Sequence, residues 1–201
     1  MILETWFPIP IMYDIAPLNI KEAIFNEYKL AEKEIVSKTN LMCVNNKNSV
    51  NWNDNVYSTF KTITNVISEY SLRNLEQYIF FVTSEYIKHL DTNLPKLNIV
   101  ESFVNYNNKN QYQNWHNHYP SYISGVYYLN TNGQDGDLVF RNPMIYPSIV
   151  NNNSTILTNE SIKYQPEPGK IILFPGHIEH SVSVNMTDHT RISLSFNISI
   201  N

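Results

Sequence analysis

The sequence predicts a mainly β domain with N-terminal helices, in which the helical part buttresses a β-barrel or sandwich. From residue 97 onward, short β-branched and aromatic runs alternate with Asn, Gly and Pro, giving strand candidates at 97–106, 111–116, 121–130, 137–141, 145–150, 154–158, 170–174, 180–185 and 190–200. So many short strands without helical patterns between them fit a sandwich or barrel better than βαβ units. Before Pro95 the apolar residues instead recur at three- and four-residue steps. A chain of 201 residues is long enough to bury one sizeable core, and no repeat or low-complexity linker divides it. The expected organisation is a single domain, with 1–95 as edge strand and helical buttress and 96–201 as the β core.

In chain order, Trp6, Phe7, Pro8, Ile9, Pro10 and Ile11 alternate prolines with apolar side chains, which suits an extended edge strand and opposes a helix. After Pro17, Asn19 and Glu22 have the spacing of a capping box. Ile24, Phe25, Tyr28, Ala31 and Ile35 then form one face of a helix of about five turns. Residues 40–60 lack periodicity and read as a loop pinned by Trp52 and Tyr57. From Ser68 to Leu90, the set Leu72, Leu75, Ile79, Val82, Tyr86 and Leu90 predicts a second helix, with Arg73, Glu76, Glu85 and Lys88 mostly on its other faces. Gly133, Asp135 and Gly136 carry hairpin-turn chemistry.

Composition excludes several classes. The formal net charge is −4, and Lys and Arg are scattered rather than gathered in a basic stripe, so there is no signature of nucleic-acid binding. Cys43 stands alone, leaving no disulfide framework and no thiolate metal site. The opening MILETWFPIPIMYD lacks a basic region followed by an apolar run, and no stretch approaches eighteen apolar residues. A cytoplasmic protein without a membrane span is expected. Nothing in the residues speaks to oligomeric state.

The segment 113–130, QNWHNHYPSYISGVYYLN, places His116 and His118 one residue apart, immediately before a strand-like run. Residues at i and i+2 of a strand share a face, so the two imidazoles can turn toward one metal ion, with His180 of LFPGHIEHSV as the distant third donor. Beyond it, RISLSFNI sets Ile192, Leu194 and Phe196 on one face and Arg191, Ser193 and Ser195 on the other. That polar face is either an ordinary wet face or a lining of the barrel interior, where an arginine requires an anionic partner. Among the remaining histidines, His89 at a helix end and His189 in a polar turn read as ordinary polar residues. His177 reads as solvent-exposed or as a neighbour of the site.

The order His116-x-His118, SGVYYLN, GDLVF, PGKIILFPGHIEHSV and RISLSFNI resembles the double-stranded β-helix (jelly-roll, cupin-like) core of the iron(II)- and 2-oxoglutarate-dependent dioxygenases. More narrowly, it is similar to uncharacterised 2-oxoglutarate–iron oxygenases of marine bacteria and phages. The resemblance covers residues 96–200. It implies that His116 and His180 bind Fe(II) and that Arg191, with Ser193 beside it, holds the far carboxylate of 2-oxoglutarate. It also implies that Tyr128 helps hold that carboxylate. Tyr112 shares parity with His116 and is a further candidate to reach the cosubstrate. Position 118 is His where this superfamily usually has Asp or Glu, so either three imidazoles form the site or Asp137 or Glu179 supplies a carboxylate. The implied chemistry couples O2-dependent decarboxylation of 2-oxoglutarate, yielding succinate and CO2, to hydroxylation of a substrate C–H bond. Two rivals are a three-histidine cupin-like metalloenzyme that does not use 2-oxoglutarate and a non-catalytic β-barrel binding protein. The prime substrate is set by loops such as 40–60 and 142–155, which carry no readable code.

Overall fold

Two antiparallel sheets face each other in the computed structural model, which describes residues 9–41, 56–90, 95–143 and 159–200. The larger sheet contains β1 (Met12–Ile15), β2 (Asn40–Leu41), β3 (Tyr57–Ser58), β4 (Leu97–Asn107), β6 (Ile123–Asn130), β9 (Lys170–Pro175) and β11 (Arg191–Ile200). Its order is β1-β9-β6-β11-β4-β3-β2. The smaller sheet contains β5 (Gln113–His116), β7 (Leu138–Arg141), β8 (Ser161–Tyr164) and β10 (His180–Val182), in the order β5-β10-β7-β8. The helices are α1 (Leu18–Ser37), α2 (Val66–Glu69) and α3 (Arg73–Lys88). The architecture is a double-stranded β-helix with a helical layer. No helix among the described residues is long and apolar enough to cross a membrane.

Alternation along the central strands divides the core in two. Tyr127 and Leu129 of β6, Ile171 and Leu173 of β9, and Leu194 and Phe196 of β11 turn outward. They pack against Ile24, Tyr28 and Ile35 of α1 and Leu75, Ile79, Val82 and Tyr86 of α3. The intervening residues Val126, Tyr128, Ile172 and Phe174 meet Leu138, Phe140 and Val182 of the smaller sheet. A strand covered on both faces reads as nearly continuous apolar sequence, which is why ISGVYYLN is buried almost throughout. The helices therefore stiffen the back of the sheet whose front carries the polar row Arg191, Ser193, Ser195 and Asn197.

Several expectations require correction. The first strand begins at Met12, so Ile9–Ile11 are not strand, and Trp6–Pro8 lie outside the described residues. Helix α1 starts at Leu18 with Pro17 at its N-cap and no side-chain cap; Asn19 falls inside the first turn, and Phe25 is exposed. The single helix expected over 68–90 is two helices. Ser71, at φ +52°, breaks the backbone between α2 and α3, while buried Leu72 keeps the apolar spacing intact through the break. Leu90, expected in the core, is 40% exposed. Within 40–60, Asn40–Leu41 and Tyr57–Ser58 pair as edge strands, and Trp52 lies outside the described residues. Strand candidates 145–150 and 154–158 also lie outside them. β8 was missed because its sequence, SIKY, is largely exposed and lacks an apolar alternation. Residues 131–137 do not close a hairpin, because β6 and β7 belong to different sheets. They cross between the sheets, and the buried Asp135 carboxylate holds the turn by accepting from Thr131 Oγ1 at 2.5 Å and Asn132 N at 3.0 Å.

Candidate metal centre

Strand pairing brings His116 and His180 together. They are direct partners across β5 and β10, and their ring centroids are 4.3 Å apart. His118 arrives differently from the same-strand expectation, because β5 ends at His116. Its amide donates to Gly176 O at 2.7 Å, and its own carbonyl accepts from Ser121 N at 2.8 Å. This turn stacks its ring on His116 at 5.4 Å and sets it 5.0 Å from His180. One ligand-capable atom from each of the three residues lies within 4.8 Å of the others.

The second nitrogen of each ring is already engaged. Nδ1 of His116 faces Asn114 O at 2.6 Å, Nδ1 of His180 faces Ile178 O at 3.0 Å, and Nδ1 of His118 faces Asn197 Oδ1 at 2.7 Å. Carbonyl oxygens only accept, so each Nδ1 carries the proton and each Nε2 keeps its lone pair for a metal. Burial lowers all three imidazole pKa values. His118 is brought down to about 4 by burial and by the neighbouring His116, and His180 falls well below the ordinary value for the same reasons. Three neutral imidazoles gathered at one cleft would suit a divalent iron ion. The residues present therefore fit the metal.

Arg191 lies on the same cleft, which is also lined by Gln113, Val126, Tyr128, Leu138 and Ser193. Its side chain is 2% exposed. Nη1 donates to Gly136 O at 2.6 Å, whereas Nε has no hydrogen-bond partner. Burial lowers its pKa, opposed by Tyr128, Asp135 and Asp137; a guanidinium nevertheless stays charged in a protein. Ser193 and Tyr128 face each other across β11 and β6, and the Tyr128 hydroxyl is pushed up to about 12, chiefly by burial. A buried cation with an unused donor, beside two hydroxyls that stay protonated, suits a carboxylate. These residues fit the distal end of 2-oxoglutarate.

Of the remaining candidates, Tyr112 is half-buried and does not line the cleft. Neither proposed carboxylate joins the histidine cluster. Asp137 lies near Arg191 and Tyr128, and Glu179 pairs with Arg141 at 3.0 Å. His177 and His89 are exposed. His189 is more than a polar turn residue, since its Nδ1 meets buried Asp135 Oδ2 at 2.8 Å. Sequence reasoning also missed Gln113 and the inward row of β4. There Asn107 pairs in register with Arg191, and its buried side-chain amide has no partner at either end. The parity of Phe103, Asn105 and Asn107 in ESFVNYN was the available signal.

Residues 101–197 match the family described as "Putative 2OG-Fe(II) oxygenase". No curated protein matches the sequence significantly. Among solved structures, the fold is similar to a Trichoplax adhaerens prolyl hydroxylase in complex with a hypoxia-inducible-factor peptide. That match has TM-score 0.61 and 15% identity and covers 94% of this chain and 82% of that one. It is also similar to SnoK, a non-heme α-ketoglutarate-dependent carbocyclase from nogalamycin biosynthesis, with TM-score 0.65, 10% identity and coverage of 94% and 79%. A third similar structure is HygX from Streptomyces hygroscopicus with nickel and 2-oxoglutarate bound, with TM-score 0.58, 8% identity and coverage of 96% and 83%. At these identities the structural likeness speaks to the fold alone, and the family match spans 101–197, the stretch that carries the three histidines and Arg191.

Proposed function

We propose that the chain is an iron(II)- and 2-oxoglutarate-dependent oxygenase, and within that class a hydroxylase whose iron is held by His116, His118 and His180. Arg191, Ser193 and Tyr128 hold the distal carboxylate of the cosubstrate. The observation that carries this reading is the cleft itself. Three imidazoles with ligand atoms within 4.8 Å of one another share it with a buried arginine whose Nε has no partner.

When bound, iron and 2-oxoglutarate supply the oxidative chemistry, in which O2 is consumed, 2-oxoglutarate becomes succinate and CO2, and one oxygen atom enters a substrate C–H bond. The protein supplies orientation and dryness. The Nδ1 hydrogen bonds of the three histidines keep each ring turned with Nε2 toward the metal. The Arg191 fork and the Tyr128 and Ser193 hydroxyls would hold the far carboxylate of the cosubstrate and so fix its orientation in the cleft. Val126, Leu138, Phe174 and Val182 line the cleft with apolar side chains and exclude water from the reacting groups. The reading extends to one functional domain and, given the lone Cys43, to a reducing cytoplasmic setting.

The test is anaerobic titration of the iron-loaded protein with 2-oxoglutarate, following the charge-transfer absorption of the chelate, then succinate release on admission of O2 with peptide and small-molecule C–H donors in turn. Chelation, with succinate release stimulated by one donor class, supports the hydroxylase. Iron binding without chelation would favour a three-histidine metalloenzyme that does not use 2-oxoglutarate.

A further inference from the structure

The hydrogen bond that fixes His118 does not end at its acceptor. Asn197 Oδ1 accepts from His118 Nδ1 at 2.7 Å and from Ser124 Oγ at 2.8 Å, while Asn197 Nδ2 donates to Glu101 Oε2 at 2.6 Å. The three strands are in register here, with Asn197 of β11 opposite Glu101 of β4 on one side and Ser124 of β6 on the other. Asn197 is 5% exposed and Ser124 is fully buried. The amide has one orientation that satisfies this arrangement. A carboxylate accepts, so the NH2 group faces Glu101, and the carbonyl is left for His118 and Ser124. His116 and His180 are fixed by backbone carbonyls, whereas His118 is fixed by side chains that lead to an acid.

We propose that Glu101, acting through Asn197, is a positioning residue for the metal centre and supplies from behind His118 the negative charge that position 118 lacks. This rests on the reading of His116, His118 and His180 as the metal site. The carboxylate locks the amide, the amide locks the Nδ1–H tautomer of His118, and the polarised hydrogen-bond chain makes Nε2 a stronger donor. An acid behind a ligating imidazole, linked here by one amide, compensates part of the charge lost when a carboxylate ligand is replaced by histidine. Neither Glu101 nor Asn197 touches the metal position, so neither is a catalytic residue.

The test compares Co(II) and anaerobic Fe(II) affinity in the parent, Glu101→Gln, the double variant Glu101→Gln with Asn197→Asp, and His118→Ala. Glu101→Gln keeps size and hydrogen-bonding capacity while removing the charge, so it should weaken metal binding by about 10- to 100-fold, as loss of an outer-shell partner does. In the double variant the charge moves next to His118, and the amide introduced at position 101 donates to it, so affinity should return to the parental value or above. The 15N shifts of the His118 ring in the metal-free protein give a second readout. The parent and the double variant should show Nδ1–H, and Glu101→Gln a mixture of tautomers. Unchanged affinity and tautomer in Glu101→Gln, with binding lost in His118→Ala, would overturn the relay and leave the metal site standing. Equal binding by the parent and His118→Ala would remove His118 from the site and the relay with it.

Discussion

Arg191 and Gly136 are joined by a 2.6 Å hydrogen bond from guanidinium Nη1 to a backbone carbonyl, in a turn that crosses between the two sheets. The bond aims the fork and consumes only one of its donors, and Nε is without a partner. It also ties the arginine end of the cleft to a turn held by buried Asp135, which in turn meets His189.

Replacing Arg191 by Met should therefore remove the anion grip while leaving the histidines in place. Loss of a buried charge-assisted pair costs about 2 to 5 kcal/mol, on the order of thirty- to several-thousand-fold in 2-oxoglutarate affinity. Arg191→Lys should recover only part of this, because an ammonium group cannot reproduce the planar fork. Anaerobic titration of the iron-loaded variants measures both. Parental 2-oxoglutarate affinity in Arg191→Met would dismiss Arg191 as the anchor.

Gly136 is positioned so that a side chain is not tolerated. Its φ is +106°, and a Cβ would lie 2.4 Å from Ser183 O and 3.1 Å from Arg191 Nη1. Gly136→Ala should cost about 1 to 3 kcal/mol of stability, the range for residues held in disfavoured backbone regions. It should also weaken 2-oxoglutarate binding, because the carbonyl that aims Arg191 moves. Chemical denaturation and cosubstrate titration read the two effects separately; a variant with full stability and parental affinity contradicts both.

The three cleft histidines set a pH dependence in the metal-free protein. Their folded-state pKa values lie below the ordinary 6.5, with His118 at about 4, so the unfolded chain takes up protons first. Their neutral burial contributes fully above pH 6.5, and stability should fall as pH drops from there toward 4. His118→Gln should flatten part of that slope. Thermal melts of the metal-free protein across this range test it, and a melting temperature independent of pH between about 6.5 and 4.5 would refute the account.

The parts of this architecture legible in sequence are those where one strand's own pattern carries the information. KIILFP, ISGVYYLN and RISLSFNI announce buried strands, and the histidines and Arg191 attached to them could be named before their neighbours were known. The features that escaped depend on residues far apart or on one backbone angle. Nothing local marks Asp135 and His189 as partners 54 positions apart, or Glu101 and Asn197 as partners 96 apart. The break at Ser71 is hidden because Leu72 and Leu75 remain buried on either side of a helix start. His118 came to the cluster by a turn docked on Gly176, so the strand-parity argument named the residue while giving the wrong geometric cause.

The docking of that turn can be tested at Gly176 itself. Gly176 O accepts from His118 N, and Gly176 N donates to Tyr122 O at 3.2 Å, so the end of β9 and the 118–122 turn lie backbone to backbone. A Cβ on Gly176 would sit 2.2 Å from Ser121 O and 2.9 Å from Ser121 C. Neither atom belongs to a side chain that can rotate away, so the turn itself must move and carry His118 out of register with His116 and His180. Gly125→Ala is the matched control, since its Cβ would meet Phe196 Cζ at 2.4 Å and Leu173 Cδ2 at 2.8 Å, both side-chain atoms of the helix-facing core. Overpacking of either kind should cost about 1 to 3 kcal/mol. The variants should separate in Co(II) affinity: Gly176→Ala loses a ligand's alignment and binds at least about tenfold more weakly, whereas Gly125→Ala loses stability with the site retained. Denaturant melts paired with Co(II) titrations make the comparison, and equal metal affinity in the two variants would show that the Gly176 contact does not place His118.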